Sequence, residues 1–225
     1  PVAGVEVTFA VASGDGSVTG ATQITDASGI AAVGSWTLGN TAGANSLTAT
    51  SAGLTGSPVS FSATGTSDAA TQVALQAGDG QAAIVATAVA IAPAVIVRDQ
   101  FNNPVAGVEV TFAVASGDGS VTGAIQATDA AGIPAVGSWT LGETAGANTL
   151  TASAAGLTGS PVTFSATGTT AAATQVALQA GDGQSATVAT AVALAPAVIV
   201  RDQFNNPVAG AAVTFAVTAG GGTVD

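Results

Sequence analysis

The sequence contains no cysteine, no histidine, no methionine and no tyrosine, and its only basic side chains are Arg98 and Arg201. Each absence removes a class of function. Without cysteine no disulfide staples the chain, but a large domain needs none, so secretion stays open. Without histidine or cysteine there is no imidazole base, no thiolate nucleophile and no nitrogen or sulfur ligand set for zinc. Serine and threonine are abundant, yet nothing beside them supplies a base, and the chain is not expected to be an enzyme. Nucleic-acid binding displaces counterions in proportion to the cations a protein brings. Two arginines against thirteen carboxylate side chains exclude that class. The same deficit disfavours docking on anionic lipid.

Charge of either sign is scarce. Only 7% of residues are charged, where ordinary soluble domains use about a quarter. The net charge of −11 therefore reflects missing cations rather than an excess of acids. Alanine, valine, threonine, glycine and serine fill the space. Valine and threonine are β-branched and favour strands, and thirty glycines suit many turns. The uncharged stretch 82–97 is interrupted by Thr87 and Pro93, and it recurs at 185–200. A membrane-spanning helix needs roughly 17–25 apolar residues. Two buried strands around a proline bend are expected instead, with no membrane insertion in this segment.

The dominant signal is a repeat. PVAGVEVTFAVASGDGSVTGA begins at Pro1, recurs at Pro104 and begins again in diverged form at Pro207, 103 residues apart each time. Most changes between the first two copies are mild, such as Ser46 to Thr149 and Ile91 to Leu194. Sharper ones are Thr22 to Ile125, Ile84 to Thr187, Asn40 to Glu143 and Ala31 to Pro134. Near-identity of this kind points to recent duplication within an array. The period exceeds the roughly 20–50 residues of a solenoid unit and matches a β-sandwich of about 100 residues. The seam falls in the small, polar stretch Gly65-Thr66-Ser67-Asp68-Ala69-Ala70, which recurs as Gly168-Thr169-Thr170-Ala171-Ala172-Ala173. On this phasing residues 1–66 are the C-terminal part of one repeat, 69–168 a complete repeat, and 172–225 the N-terminal part of the next. The expectation is a window on a longer array.

Within one repeat the period is two. Val108, Val110, Phe112 and Val114 alternate with Glu109, Thr111 and Ala113, and Val162, Phe164 and Ala166 alternate with Thr163, Ser165 and Thr167. That pattern marks half-buried strands. Trp139 and Leu141 lie two apart and share a face. Asn102-Asn103-Pro104, Asp118-Gly119 and Asp129-Ala130-Ala131-Gly132 read as turns. No segment carries a capped amphipathic helix pattern. The expected fold class is all-β: tandem sandwiches, each of seven or more short strands.

The ordered run VIVRDQFNNPVAGVEVTFAV, GSVTG, TDAAGI, LTASAAG and PVTFSATG resembles the bacterial Ig-like group 1 domains of invasin- and intimin-type adhesins. The resemblance covers essentially the whole chain. It implies Ig-like β-sandwich domains with Greek-key topology, placed in the stalk or fibre of an extracellular, secreted or cell-surface bacterial protein. It carries over no receptor site.

The resemblance also raises calcium as a stiffener of domain junctions. Candidate ligands are Asp79, Asp99, Asn102, Asp118 and Asp129, with Asp68 nearest a seam. Calcium needs six to eight converging oxygens, and these side chains are isolated in sequence. Asp68 becomes Ala171 at the next seam. Turn chemistry at Asp79, Asp118 and Asp182, each followed by glycine, accounts for those positions without metal. No metal, cofactor or catalytic residue is assigned. Arg98 and Arg201, each followed by Asp, are read as strand-end charge pairs rather than as an interface. Trp36 and Trp139 are read as core residues rather than sugar-stacking platforms. No Asn-x-Ser/Thr sequon occurs.

Low charge leaves edge strands without lysine gatekeepers. Three roles follow as expectations: an adhesin stalk or fibre whose partners are the neighbouring repeats of the same protein, a subunit that self-assembles into a filament, or a module that binds glycan or host protein.

Overall fold

The computed structural model describes residues 1–224. Among them the regular structure is β throughout, with no helix. The first copy of the repeat contributes β1 (Glu6–Ser13), β2 (Ser17–Thr19), β3 (Thr22–Ile24), β4 (Ser35–Thr37), β5 (Gly43–Thr50) and β6 (Val59–Gly65). Past the seam come β7 (Ala70–Ala77), β8 (Gln81–Ile84), β9 (Ala94–Asp99), β10 (Glu109–Ser116), β11 (Ser120–Thr122), β12 (Ile125–Ala127), β13 (Ser138–Thr140), β14 (Gly146–Ser153) and β15 (Val162–Thr169). Two more, β16 (Ala173–Ala180) and β17 (Ala197–Asp202), follow the second seam.

Strands β7 to β15 form two facing layers. One is the sheet β12-β10-β14-β15-β8, antiparallel except for the parallel pairing of β8 with β15. The other joins β7-β9 to β11-β13 through the segment before β13. The Val97 N–H donates to Gly132 O at 2.8 Å, Val136 N–H to Pro93 O at 3.1 Å and Val89 N–H to Trp139 O at 2.9 Å. Between the layers lie Val73, Val95, Val97, Val110, Phe112, Trp139, Leu141, Leu150 and Phe164. β10 and β15 bury alternate residues, as their sequence period requires. The Phe112 and Phe164 rings pack at 6.5 Å between centroids, within the range of favourable tilted pairs.

The stretch 82–97 departs from the expectation of two buried strands. β9 is buried, but β8 is an edge strand whose side chains alternate between partly covered and exposed. β8 pairs with β15 at the sheet edge, and because successive strand residues face opposite sides, Ile84 faces solvent while Ala83 packs on the core.

Near-identical strands differ in burial according to what covers them. Phe164 of β15 is 0% exposed beneath the β7-β9 layer, whereas Phe61, its counterpart in β6, is 46% exposed. Val73 of β7 is buried, and Val176 of β16 is exposed. The strands are local properties of the repeat; the first copy buries Phe9 and Leu47, and the larger core cluster forms where β7 and β9 complete the second layer.

Candidate functional site: the two repeat junctions

The most elaborate polar arrangement lies where one copy of the repeat meets the next. It starts from the turn after β9. Asp99 ends that strand pointing inward, because successive strand residues face opposite sides. Its Oδ1 accepts the N–H groups of Phe101 and Asn103, both at 2.8 Å, an Asx-type turn. Asn102, at φ 70°, takes the left-handed conformation that asparagine tolerates better than most residues. Asn103 is thereby folded back over the carboxylate.

The Asn103 side chain then bridges three segments. Its Nδ2 donates to Asp99 Oδ2 at 2.9 Å and to the Asn40 carbonyl at 2.8 Å. Its Oδ1 accepts the Ala42 N–H at 2.8 Å. The Asp68 N–H, in the linker, donates to Asp99 Oδ2 at 2.9 Å. Linker, following turn and the preceding 40–42 turn are tied through one carboxylate–amide pair. Asp99 and Asn103 are both buried.

The second junction repeats the arrangement. Asn206 Nδ2 donates to the Glu143 carbonyl at 2.8 Å and to Asp202 Oδ2 at 3.0 Å. Asn206 Oδ1 accepts the Ala145 N–H at 2.8 Å. The Ala171 N–H donates to Asp202 Oδ2 at 2.9 Å. Asp202 Oδ1 accepts from the N–H groups of Phe204 and Asn206, both at 2.9 Å.

Burial by itself pushes the Asp99 and Asp202 carboxyls up. The hydrogen bonds from the Asn103 and Asn206 side chains and from three backbone N–H groups at each site outweigh it and hold both carboxyls below the usual aspartate range. These N–H dipoles stabilise the buried charge.

This overturns the reading of Arg98-Asp99 and Arg201-Asp202 as strand-end charge pairs. Adjacent strand residues point to opposite faces, so each carboxylate turns inward to its asparagine. The Arg201 Nη1 instead donates to Asn205 Oδ1 at 2.8 Å.

The five calcium candidates are not brought together. Asp79 Oδ1 accepts from the Ser165 backbone N–H at 2.7 Å and from the Ser165 Oγ at 2.9 Å, tying the turn before β8 to β15, 86 residues away. These bonds hold its carboxyl below the usual range despite some desolvation. Asp99 sits in the junction. Asn102 Oδ1 accepts from Gln72 Nε2 at 3.1 Å. Asp118 occupies a left-handed turn position at φ 53°. Asp129 Oδ1 accepts the Ala131 and Ile133 N–H groups at 2.9 Å. Asp68, nearest the seam, accepts from Gln100 Nε2 at 2.8 Å. Among the described residues no three acidic side chains form a group able to hold a metal ion. Trp139 is fully buried in the core and Trp36 half-buried.

Asn103 and Asn206 were visible in the sequence only as turn formers. The available signal was the Asp-x-x-x-Asn-Pro spacing, present at both 99–104 and 202–207. It does not stand out, because nearly every residue around it is repeated too.

No protein-family model matches the chain, and no curated protein matches it in sequence. Solved structures do. The Escherichia coli adhesin FdeC is 16% identical with a TM-score of 0.60, over 93% of this chain and 67% of that one. InvD of Yersinia pseudotuberculosis is 16% identical with a TM-score of 0.55, over 92% of this chain and 63% of that one. A crystal structure of invasin, a bacterial integrin-binding protein, is 19% identical with a TM-score of 0.45, over 93% of this chain and 42% of that one. The chain thus spans about two thirds of the FdeC and InvD structures and less of invasin. The first two likenesses show its fold, the all-β Ig-like architecture.

Proposed function

We propose that this chain is part of the stalk of a bacterial surface adhesin, outside the cell, in which tandem sandwiches act as mechanical spacers. The units are 1–66, 69–168 and 172–225, the first and last being partial. The reading assigns no catalytic role and no cofactor, and its partners are neighbouring repeats of the same protein.

The observation that carries it is the pair of junctions. Asn103 and Asn206 bind the preceding copy through the same atoms, both contacts lying at 2.8 Å in each case. A free linker has no reason to form such a bond twice. A repeated, buried bond across each seam suits a rod that transmits orientation from one unit to the next. The adhesin identity of FdeC supports the surface location.

A second reading, the filament subunit, draws on the edge strands. β3 and β12 expose Ile24 and Ile125 at 55% and 61%, with no lysine to repel a neighbouring edge.

Electron microscopy of longer arrays, with and without a calcium chelator, separates these readings. Isolated rods unchanged by chelator are expected. Regular filaments with lateral contacts overturn the stalk in favour of the filament. Saturable binding of glycan or host protein by a single repeat favours a recognition module.

A further inference from the structure

We infer that Asn103 and Asn206 are sequence-blind keys: each orients its repeat by gripping main-chain atoms of the preceding one, so the junction accepts any predecessor in the array whatever that predecessor's side chains. This deepens the stalk reading and rests on it.

The contact set makes the case. On the receiving side both partners are backbone: the carbonyl of residue 40 or 143, and the N–H of residue 42 or 145. Residue 40 is Asn and residue 143 is Glu, a change from neutral to anionic, and the contact stays at 2.8 Å. The linker residue is Asp68 in one case and Ala171 in the other, and its N–H stays at 2.9 Å from the carboxylate. At residue 40 or 143 only backbone is read; at the linker the contact both seams share is the backbone N–H, to which the first seam adds a bond from Gln100 Nε2 to the Asp68 carboxylate at 2.8 Å.

On the giving side nothing is free to vary. Both hydrogens of the Asn103 amide are donated and its oxygen accepts, so the side chain has one orientation. A carboxylate buried beside it fixes which end is NH2 and which is oxygen. Aspartate at 103 would bring two carboxylates together, and alanine would remove both of its hydrogen bonds to the preceding copy. The interaction surface is thus the 40–42 or 143–145 turn, and its partner is an asparagine backed by a buried aspartate.

The test uses the absence of cysteine, which lets spin labels be placed without background. Thr8→Cys with Thr111→Cys spans the first junction, and Thr111→Cys with Thr174→Cys spans the second; all three side chains are exposed. In the 225-residue chain each pair is expected to give one narrow distance distribution. Asn103→Ala should abolish the narrow peak of the first pair and leave the second. Asn206→Ala should do the reverse. Asn40→Glu, which copies the second seam onto the first, should leave the first peak unchanged.

A peak that stays narrow in both alanine variants overturns the key while leaving the rigid stalk standing. A peak lost in Asn40→Glu overturns the main-chain reading. Broad distributions in the unsubstituted chain overturn the stalk and the key together. Because Thr111 belongs to both pairs, an Asn103→Ala variant that merely unfolds residues 69–168 broadens both, so loss of the first peak alone reports its junction.

Discussion

Asp99 and Asp202 are buried carboxylates to which, among the described residues, no cationic side chain is bonded, an arrangement that is costly unless hydrogen bonds replace the lost water. Here each carboxylate receives its asparagine amide and three backbone N–H groups. These outweigh the upward push of burial and lower the carboxyl, and Asp79 is lowered by its bonds to Ser165. The direction sets a pH dependence. A group whose folded pKa lies below its unfolded value binds fewer protons in the folded state, so stability rises with pH across the interval between the two. The stabilisation is complete above the ordinary aspartate range, about pH 4, and is lost as pH falls through the lowered values. The midpoint of thermal unfolding is expected to be flat from neutral pH to about 5 and to fall below about 4. Asp79→Asn, at an exposed position, should fall less steeply there. A midpoint that rises on acidification contradicts the assignment.

At the scale of elements, the strands were legible and their partners were not. The alternation in β10 and β15 announces which residues turn inward, and Val110, Phe112, Phe164 and Ala166 are buried as it requires. Trp139 and Leu141 share the core face that their spacing implies. Periodicity has nothing to say about two short strands that only meet through long-range bonds, so the uncharged run 82–97 reads as two buried strands although β8 lies at an edge. Nor does it reveal that Asp79 reaches Ser165. Buried polar residues were the main blind spot. Composition treats Asp and Asn as turn or surface residues, and only the fold shows Asp99 and Asn103 sealed between copies. The receiving turn has its own constraint. A methyl group on Gly142 would collide with the Gly117 carbonyl, and this glycine immediately precedes Glu143, whose carbonyl holds Asn206. Gly142→Ala is expected to cost about 1–3 kcal/mol, the range for forcing extra volume into a packed site, measured by chemical denaturation. It should also weaken the second junction, since backbone must move to make room. A neutral result would mean that the two turns are not in fixed contact.

At the scale of the whole molecule, the two copies form a comparison within one chain. β5 and β14 are nearly the same sequence, as are β6 and β15, so intrinsic strand preference is the same in both. What differs is cover. β7 and β9 close the core over Phe164 and Val162, while Phe61 and Val59 remain exposed. Opening free energies follow buried apolar contact rather than hydrogen-bond count alone. Burial of one large apolar side chain is worth about 1.5–3 kcal/mol, so several such differences separate the copies. Amide hydrogen exchange on the 225-residue chain should therefore divide by position and not by sequence. Residues of β10, β14 and β15 should exchange slowest and together, as one cooperative block with β7 and β9. Their counterparts in β1, β5 and β6 should exchange faster despite near-identity. Equal protection in the two copies would mean that stability resides in the individual strand ladders. Slower exchange in the second copy, lost there when Phe164 is truncated to alanine, would place it in the facing layers. In that case each sandwich holds itself together through its core, and the asparagine at each seam is left with the separate task of fixing direction.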